Sequence, residues 1–231
     1  MQTAGAIRLG YPAMLLMLLA KMGSAHRRCG VVLLALLTCG LLLDTAAAQE
    51  VQLITLAGQK QMLAKPGTDP VGAHNPDLII VEYFDYNCPY CKKQVPAFQA
   101  LLAQDPKIAI LYKDWPILGP ISAYAAASAL AAGWQGKYPA AHDALISGPR
   151  LVRTDQVDAI LERAGVNIVA LKKDRTAHAK EIAALLERND QEAHALTLGG
   201  TPGLVVGRQL VPGIAELDYL KQLVANSRQV K

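Results

Sequence analysis

The sequence predicts an α/β fold in which a central mixed sheet is interrupted by an inserted all-helical subdomain. Three observations support this fold class. Residues 78–84 form an almost continuous run of β-branched and aromatic residues, which is typical of a strand buried on both faces. Residues 119–198 contain 19 alanines and only three prolines, which favours helix. A short hairpin pattern at 204–211 follows, so strands are expected on both sides of the helical segment.

An N-terminal stretch, residues 49–77, precedes the main domain, which we place at 78–231. Residues 51–56 of this stretch are predicted to form a strand. In the main domain, the buried strand at 78–84 leads into a helix predicted from about Pro89 to Ala103. Proline is tolerated in the first turn of a helix because the N–H that it lacks would have no partner there.

The remaining elements follow from apolar spacing and turn residues. A strand is predicted at 107–112, followed by a helical insertion at about 119–198, one of whose helices is 155–164. A hairpin of strands 204–206 and 209–211 and a helix from Leu217 complete the domain. Thr154 is expected to cap the helix at 155–164, and Gly165 to end it. Gly207 and Arg208 form a two-residue hairpin signal between the last two strands.

The first 48 residues have the features of a secretory signal peptide. Arg27 and Arg28 precede fifteen almost wholly apolar residues, 29–43, and small residues up to Ala48 match a signal-peptidase site. A membrane span needs about 20 apolar residues, so a cleaved signal fits this length better than an uncleaved anchor. We expect cleavage after Ala48, an alternative translation start at Met22, and export to the periplasm, where a thiol pair can stay oxidised.

Composition excludes several classes of protein. Hydrophobic residues make up 52% of the 231 residues and charged residues 18%, which rules out a disordered polar chain. The formal net charge is +4, but the leader holds four basic residues and one acidic residue, which leaves +1 for the rest. Because the chain after the leader is nearly neutral, no nucleic-acid partner is predicted. Two of the four cysteines, Cys29 and Cys39, lie in the leader, where Thr38 disfavours lipid attachment to Cys39.

The other two cysteines, Cys88 and Cys91, are the residues that indicate the chemistry of this protein. In Cys88-Pro-Tyr-Cys91 they are separated by two residues at a strand-to-helix junction, which brings the sulfurs close enough for a disulfide. The helix N-terminus favours a thiolate at Cys88, so Cys88 is expected to be the exposed attacking sulfur. Cys91 is expected to be shielded and to resolve the mixed disulfide. The two sulfurs are themselves the redox centre, so no cofactor is expected.

A CxxC pair has two other uses in proteins. Half of a structural zinc site would need a second pair of ligands, but only isolated histidines accompany the cysteines, so no metal site is predicted. A purely structural disulfide would gain little, because its loop is so short. The strand before the pair, the helix after it and the signal peptide favour redox chemistry.

A family resemblance is carried by Glu82-Tyr-Phe-Asp-Tyr-Asn-Cys-Pro-Tyr-Cys91 together with Gly200-Thr-Pro202 before the hairpin. These segments resemble the DsbA-like branch of the thioredoxin superfamily, especially its secreted ScsC and Com1 types. Residues 112–119 and 136–142 are also similar to segments of that branch, and the likeness runs from about Pro66 to the C-terminus. The resemblance implies a thioredoxin-like fold and protein-disulfide oxidoreductase activity.

The resemblance also implies a substrate-binding surface next to the cysteines. Thr201-Pro202 would form a cis peptide that faces the CxxC and presents its backbone to an extended substrate strand. Pro89 and Tyr90, which lie between the two sulfurs, are assigned to the same surface. An ordinary turn proline is the alternative interpretation of Pro202.

Glu82 lies where proteins of this branch keep a buried acid under the active site. Burial would raise its pKa and allow it to shuttle the proton of Cys91. The alternative is a carboxylate that is neutralised by a lysine such as Lys113, or one that reaches solvent.

We therefore expect a periplasmic thiol–disulfide oxidoreductase that exchanges disulfides with cysteines of secreted proteins, with a monomeric oxidase favoured. An oxidase needs a membrane partner that reoxidises the CxxC, whereas an isomerase or reductase needs a membrane electron donor, and no residue decides between them. The stretch before Leu78 leaves little sequence for an oligomerisation stalk. A copper-tolerance protein of ScsC type is a further alternative, because two reduced thiols suit Cu(I).

Overall fold

The computed structural model describes residues 52–64 and 67–229. Within them, one sheet is formed by β1 (Gln52–Leu53), β2 (Val71–Gly72), β3 (Leu78–Phe84), β4 (Ile108–Asp114), β5 (Gly203–Val206) and β6 (Gln209–Pro212). The strands lie side by side in the order β1-β6-β5-β3-β4-β2. β3 and β4 are parallel and the other neighbours are antiparallel, which confirms the predicted mixed sheet.

The helices confirm the inserted subdomain. In the described residues they are α1 (Leu56–Ala64), α2 (Pro89–Gln104), α3 (Pro120–Ala132), α4 (Tyr138–Ile146), α5 (Thr154–Arg163), α6 (Ile168–Ala177), α7 (Ala179–Ala195) and α8 (Leu217–Gln229). Helices α3 to α7 lie between β4 and β5, so they separate the two halves of the sheet. α5 begins at Thr154 with Arg153 at its N-cap, so the predicted Thr154 cap is wrong by one residue. None of the described helices is long and apolar enough to span a membrane.

The N-terminal stretch differs from the prediction. The strand predicted over 51–56 is too long, because β1 ends at Leu53 and α1 begins at Leu56. Thr55 Oγ1 accepts a hydrogen bond from the Gly58 N–H at 3.1 Å, which satisfies a free donor at the start of the helix. The two short strands of this stretch form the edges of the sheet, since β1 pairs with β6 and β2 pairs with β4. The predicted signal peptide lies outside the described residues.

β3 is a central strand whose two faces have different neighbours. Ile80 and Phe84 belong to the larger hydrophobic cluster, together with both cysteines and residues of α2, α8 and the insertion. Val81 and Tyr83 belong to a smaller cluster on the opposite face. Side chains alternate along a strand, so Glu82 lies on the same face as Ile80 and Phe84, which is the face that carries the cysteines.

Candidate active site

The cysteine pair begins helix α2, as predicted. Cys88 is the N-cap residue and Pro89 is the first residue of the helix. The Cys91 N–H points at Cys88 Sγ, with an N···S distance of 3.5 Å. Both cysteines are free thiols in the structure. Pro89 is exposed and Tyr90 is 56% exposed, so both residues of the dipeptide face solvent.

Cys88 is much less exposed than the sequence predicted. Only 3% of the residue is accessible, compared with 1% for Cys91, so the expectation of an exposed sulfur is wrong. The loop before β5 accounts for part of this burial, because the Cys88 thiol donates a hydrogen bond to the Thr201 carbonyl oxygen at 3.1 Å. The two cysteines therefore differ little in accessibility and differ mainly in their tendency to ionise.

Hydrogen bonding lowers the pKa of Cys88 to about 6. The largest contribution is the hydrogen bond from the Cys91 side chain. Burial acts in the opposite direction, and smaller lowering contributions come from the Thr201 side chain and from the backbone N–H groups of Cys91 and Tyr90. Burial raises the pKa of Cys91 far above its usual range, and the hydrogen bond to Cys88 and the charge of Glu82 act in the same direction. At neutral pH, Cys88 is mostly a thiolate and Cys91 a thiol.

The loop opposite the cysteines contains the predicted cis peptide, between Thr201 and Pro202. Thr201 is half-buried and Pro202 is buried. The Pro202 carbonyl oxygen accepts a hydrogen bond from the Gly213 N–H at 2.8 Å, which joins the loop to the segment after β6. The structure therefore brings Thr201 and Pro202 together with Cys88, although they are more than 110 residues apart in sequence.

Glu82 is a buried acid on the cysteine face of β3. It is only 3% exposed, and its Oε1 has no hydrogen-bond partner among the described residues. Burial raises the pKa of Glu82 well above its usual range, and the negative charge of Cys88 adds to this effect. Lys113 is not its partner, because Lys113 forms a buried ion pair with Glu192, which also accepts a hydrogen bond from the Tyr83 hydroxyl at 3.0 Å.

Sequence reasoning missed Asp85, which organises the loop between β3 and the cysteines. Its carboxylate accepts hydrogen bonds from the Asn87 N–H at 2.7 Å, the Leu118 N–H at 2.9 Å and the Ser122 hydroxyl at 2.7 Å. The first of these bonds forms an Asx turn, in which an Asp side chain accepts from the backbone N–H two residues later. An aspartate directly after a strand is a local sequence signal for such a turn. The other two bonds join the loop to the start of the insertion and have no local signal.

Asn87 joins the same loop to a second part of the insertion. Its side chain donates to the Leu151 carbonyl oxygen at 3.0 Å and accepts from the Leu151 N–H at 2.8 Å. The neighbours of these anchored residues are apolar and exposed: Ile117 is 42%, Leu118 is 49% and Val152 is 61% accessible. These three side chains and Tyr90, which lie on segments joined to the redox loop, are called the apolar rim below.

His142 is buried among aromatic side chains. Its ring stacks on Tyr112 with centroids 3.8 Å apart and meets the Phe84 ring edge-on at 4.8 Å. Its Nδ1 lies 3.3 Å from the Tyr86 hydroxyl, and burial lowers its pKa to about 3, which keeps the ring neutral. Among the described residues, no group of three or more His, Cys, Asp or Glu side chains is placed to hold a metal ion.

Solved structures with a similar architecture include three bacterial proteins. A thioredoxin-like oxidoreductase from Silicibacter pomeroyi DSS-3 has 36% sequence identity and a TM-score of 0.71, over 74% of this chain and 98% of that one. The thiol-disulfide exchange protein alpha-DsbA2 from Wolbachia pipientis has 27% identity and a TM-score of 0.67, over 74% and 94%. The catalytic domain of Proteus mirabilis ScsC has 22% identity and a TM-score of 0.64, over 74% and 94%, and shows the fold alone.

Curated relatives contain a similar segment within longer proteins. The Na(+)/H(+) antiporter NhaA 1 of Salinispora arenicola is 27% identical over 165 residues, which are 70% of this chain and 25% of that protein. The chain therefore spans about a quarter of the length of the curated relatives it matches.

The family model of the DSBA-like thioredoxin domain matches residues 79–225, which extend from β3 into α8. This range includes the cysteine pair, the helical insertion and the cis peptide. The suspected family resemblance is confirmed, and the chain belongs to the DSBA-like thioredoxin domain family.

Proposed function

We propose that this protein is a periplasmic thiol–disulfide oxidoreductase that oxidises cysteine pairs in other exported proteins. The observation that carries the proposal is the Cys88 sulfur at the N-terminus of α2, 3.1 Å from the Thr201 carbonyl oxygen. A thiolate at Cys88 beside a protonated Cys91 is the division of charge that disulfide exchange requires. The names of two relatives, a thioredoxin-like oxidoreductase and a thiol-disulfide exchange protein, support the same chemistry.

The proposed reaction has two exchange steps. A client thiolate attacks Cys88 Sγ of the Cys88–Cys91 disulfide, so a client–Cys88 bond forms, the Cys88–Cys91 bond breaks, and Cys91 leaves and takes up a proton. A second client thiolate then attacks the client sulfur of the mixed disulfide and releases Cys88 as a thiolate. The client gains one disulfide and loses two electrons, which the cysteine pair gains.

Glu82 is proposed to supply the proton that Cys91 takes up when it leaves. Its raised pKa keeps a proton available in the buried space on the cysteine face of β3, and the charge of Glu82 acts on Cys91. Replacing Glu82 by Gln should slow attack on the disulfide at pH 7 and flatten its pH dependence. An unchanged rate profile would remove this role from Glu82.

The oxidase direction is supported by the stability of the Cys88 thiolate. A sulfur with a low pKa leaves easily, and a stabilised thiolate favours the reduced form of the pair, so electrons flow from the client to this protein. We propose that a membrane redox partner then reoxidises the CxxC and that the protein works as a monomer. A disulfide isomerase or reductase would instead keep the pair reduced.

The apolar rim supports unfolded exported proteins as clients. Tyr90, Ile117, Leu118 and Val152 expose apolar surface next to the redox loop, and unfolded chains expose similar surface. We propose that the Thr201 backbone, which lies beside Cys88, pairs with an extended client strand. We propose that export depends on the leader at 1–48, and a mass spectrum of the secreted protein should show an N-terminus at Gln49.

The proposal is tested with the oxidised protein and a reduced, unfolded client that contains two cysteines. We expect the wild-type protein to oxidise this client. With the disulfide form of the client, the Cys88 thiolate of Cys91→Ser should displace one client sulfur and accumulate a client–Cys88 mixed disulfide, and Cys88→Ser should form none. The equilibrium with glutathione then gives the direction, because a potential as low as that of cytosolic thioredoxin contradicts an oxidase. Failure of the wild-type protein to oxidise the reduced client, together with failure of Cys91→Ser to form the mixed disulfide, would overturn the proposed function.

A further inference from the structure

Lys92, the residue after the second cysteine, is bonded to the helical insertion. Its Nζ donates to the backbone carbonyl oxygens of Leu145, Ile146 and Gly148 at 3.0, 3.1 and 3.0 Å. These carbonyls lie at the C-terminal end of α4, where the last carbonyls of a helix lack helical partners and its dipole is negative. The ammonium has three donor hydrogens, so these bonds use all of them and hold Lys92 in place beside the first turn of α2.

The charge of Lys92 interacts with the redox pair. Burial lowers the pKa of Lys92, whereas its Coulomb interactions with the ionised forms of Cys91, Asp85 and Cys88 act in the opposite direction. Coulomb interactions are mutual, so the ammonium stabilises a thiolate as much as the thiolate stabilises the ammonium. A Cys88–Cys91 disulfide carries no charge. The ammonium therefore favours the reduced pair over the oxidised pair.

Two acids on other elements interact with groups of this site, Glu82 with Cys88 and Asp85 with Lys92. Glu82 approaches from β3, and its interaction with Cys88 is repulsive when both are ionised. Asp85 lies in the loop before the cysteines, and its carboxylate is held by three hydrogen bonds. A cation fixed by the insertion offsets this negative charge.

We propose that Lys92 is a positioning residue whose charge raises the reduction potential of the Cys88–Cys91 pair and makes that potential depend on the inserted subdomain. The inference rests on the proposed function, since it concerns the same redox pair. Lys93 provides a comparison within the chain. It has the same charge, but it is exposed and its Nζ lies 5.5 Å from the centroid of the Tyr90 ring.

The test is the equilibrium of the purified protein with glutathione. Two glutathione thiols reduce the Cys88–Cys91 disulfide to two thiols and become one glutathione disulfide, a transfer of two electrons. Lys92→Gln removes the charge and keeps an N–H donor for the α4 carbonyls. We expect it to shift the equilibrium about fivefold towards the protein disulfide, which is about 20 mV for a two-electron couple. Lys92→Arg should restore the equilibrium of the wild-type protein, and Lys93→Gln should shift it less than about twofold.

Urea unfolding of both redox forms separates the charge from a merely structural contact. The proposal predicts that Lys92→Gln destabilises the reduced form more than the oxidised form, because only the reduced form contains the thiolate. An equal loss in both forms, or an unchanged potential, overturns the inference and leaves the proposed function intact. Lys92→Met, which needs no hydrogen bond, replaces Lys92→Gln if the latter does not fold. A wild-type protein that does not equilibrate with glutathione overturns the proposed function and this inference together.

Discussion

Removing the Cys91 thiol should make Cys88 a weaker acid. The hydrogen bond from the Cys91 side chain is the largest of the contributions that lower the pKa of Cys88 to about 6. Cys91→Ala deletes that donor and leaves the backbone N–H of residue 91 in place. The variant also leaves Cys88 as the only cysteine after the leader, so its reactivity is measured without interference.

The size of the effect follows from the type of hydrogen bond. A hydrogen bond to a charged group contributes about 1.5–3 kcal/mol, and one pKa unit corresponds to about 1.4 kcal/mol. The pKa of Cys88 should therefore rise from about 6 to about 7–8 in Cys91→Ala. At pH 6 the thiolate fraction falls from about one half to between about one tenth and one hundredth.

The assay is the rate of alkylation by iodoacetamide between pH 4 and pH 9 in the reduced protein, checked by thiolate absorbance. At pH 6 the rate should fall about 5- to 50-fold, in proportion to the thiolate fraction. Cys91→Ser is the matched control, because its hydroxyl still donates a hydrogen bond and should give a smaller shift. A midpoint that stays near pH 6 in Cys91→Ala, or an equal shift in both variants, would refute the reasoning.

Three further predictions concern stability. The pKa of Cys88 is lower in the folded protein than in the unfolded chain, so the thiolate stabilises the reduced fold at high pH, and this stabilisation is lost as pH falls through about 6. In urea titrations, the unfolding free energy of the reduced protein relative to that of Cys88→Ser should therefore drop by about 2–3 kcal/mol from pH 8 to pH 5. Phe98→Ala should lower the unfolding free energy by about 3–5 kcal/mol in the same assay, because Phe98 is 2% exposed. Glu192→Ala should cost about 3–5 kcal/mol at pH 7, because it leaves Lys113 buried without its carboxylate. The cost should be smaller at pH 10, because burial lowers the pKa of Lys113 and so favours its neutral form as pH rises.

Each of these stability predictions has a contrary result. A difference between the reduced protein and Cys88→Ser that is independent of pH would show that the Cys88 thiolate does not stabilise the fold. A loss below about 1 kcal/mol in Phe98→Ala would show that the site collapses around the smaller side chain. An equal cost of Glu192→Ala at pH 7 and pH 10 would show that the charge of Lys113 is not the cause.

The sequence predicted the features that depend on neighbouring residues. Continuous apolar residues indicated the central strand, and the proline after Cys88 indicated the start of the helix. The hairpin at Gly207 follows from turn chemistry, and its positive φ of 61° is the conformation that favours glycine there. The cis peptide at Thr201–Pro202 was accessible only through family resemblance, because local turn chemistry allows an ordinary trans proline at the same place.

The features that the sequence did not predict depend on residues far apart in the chain. Lys113 was a candidate partner for Glu82, but the two side chains lie on opposite faces of the sheet, and its partner Glu192 is 79 residues away. The carbonyls that hold Lys92 are 53 to 56 residues away. The burial of Cys88 also comes from a distant loop. No local pattern contains this information, because it arises when the insertion and the loop before β5 pack on α2.

The acidity of Cys88 belongs to the assembled fold and not to the Cys-Pro-Tyr-Cys segment. The helix N-terminus and Cys91 supply local donors, whereas the Thr201 side chain, which also lowers the pKa of Cys88, belongs to a loop 113 residues away. Asp85 and Asn87 join the redox loop to two separate parts of the insertion, at Leu118 and Leu151. A short peptide with the same four residues keeps only the local donors. Its first cysteine should therefore be a weaker acid than Cys88 of the folded protein, so the fold itself sets how readily the pair is reduced.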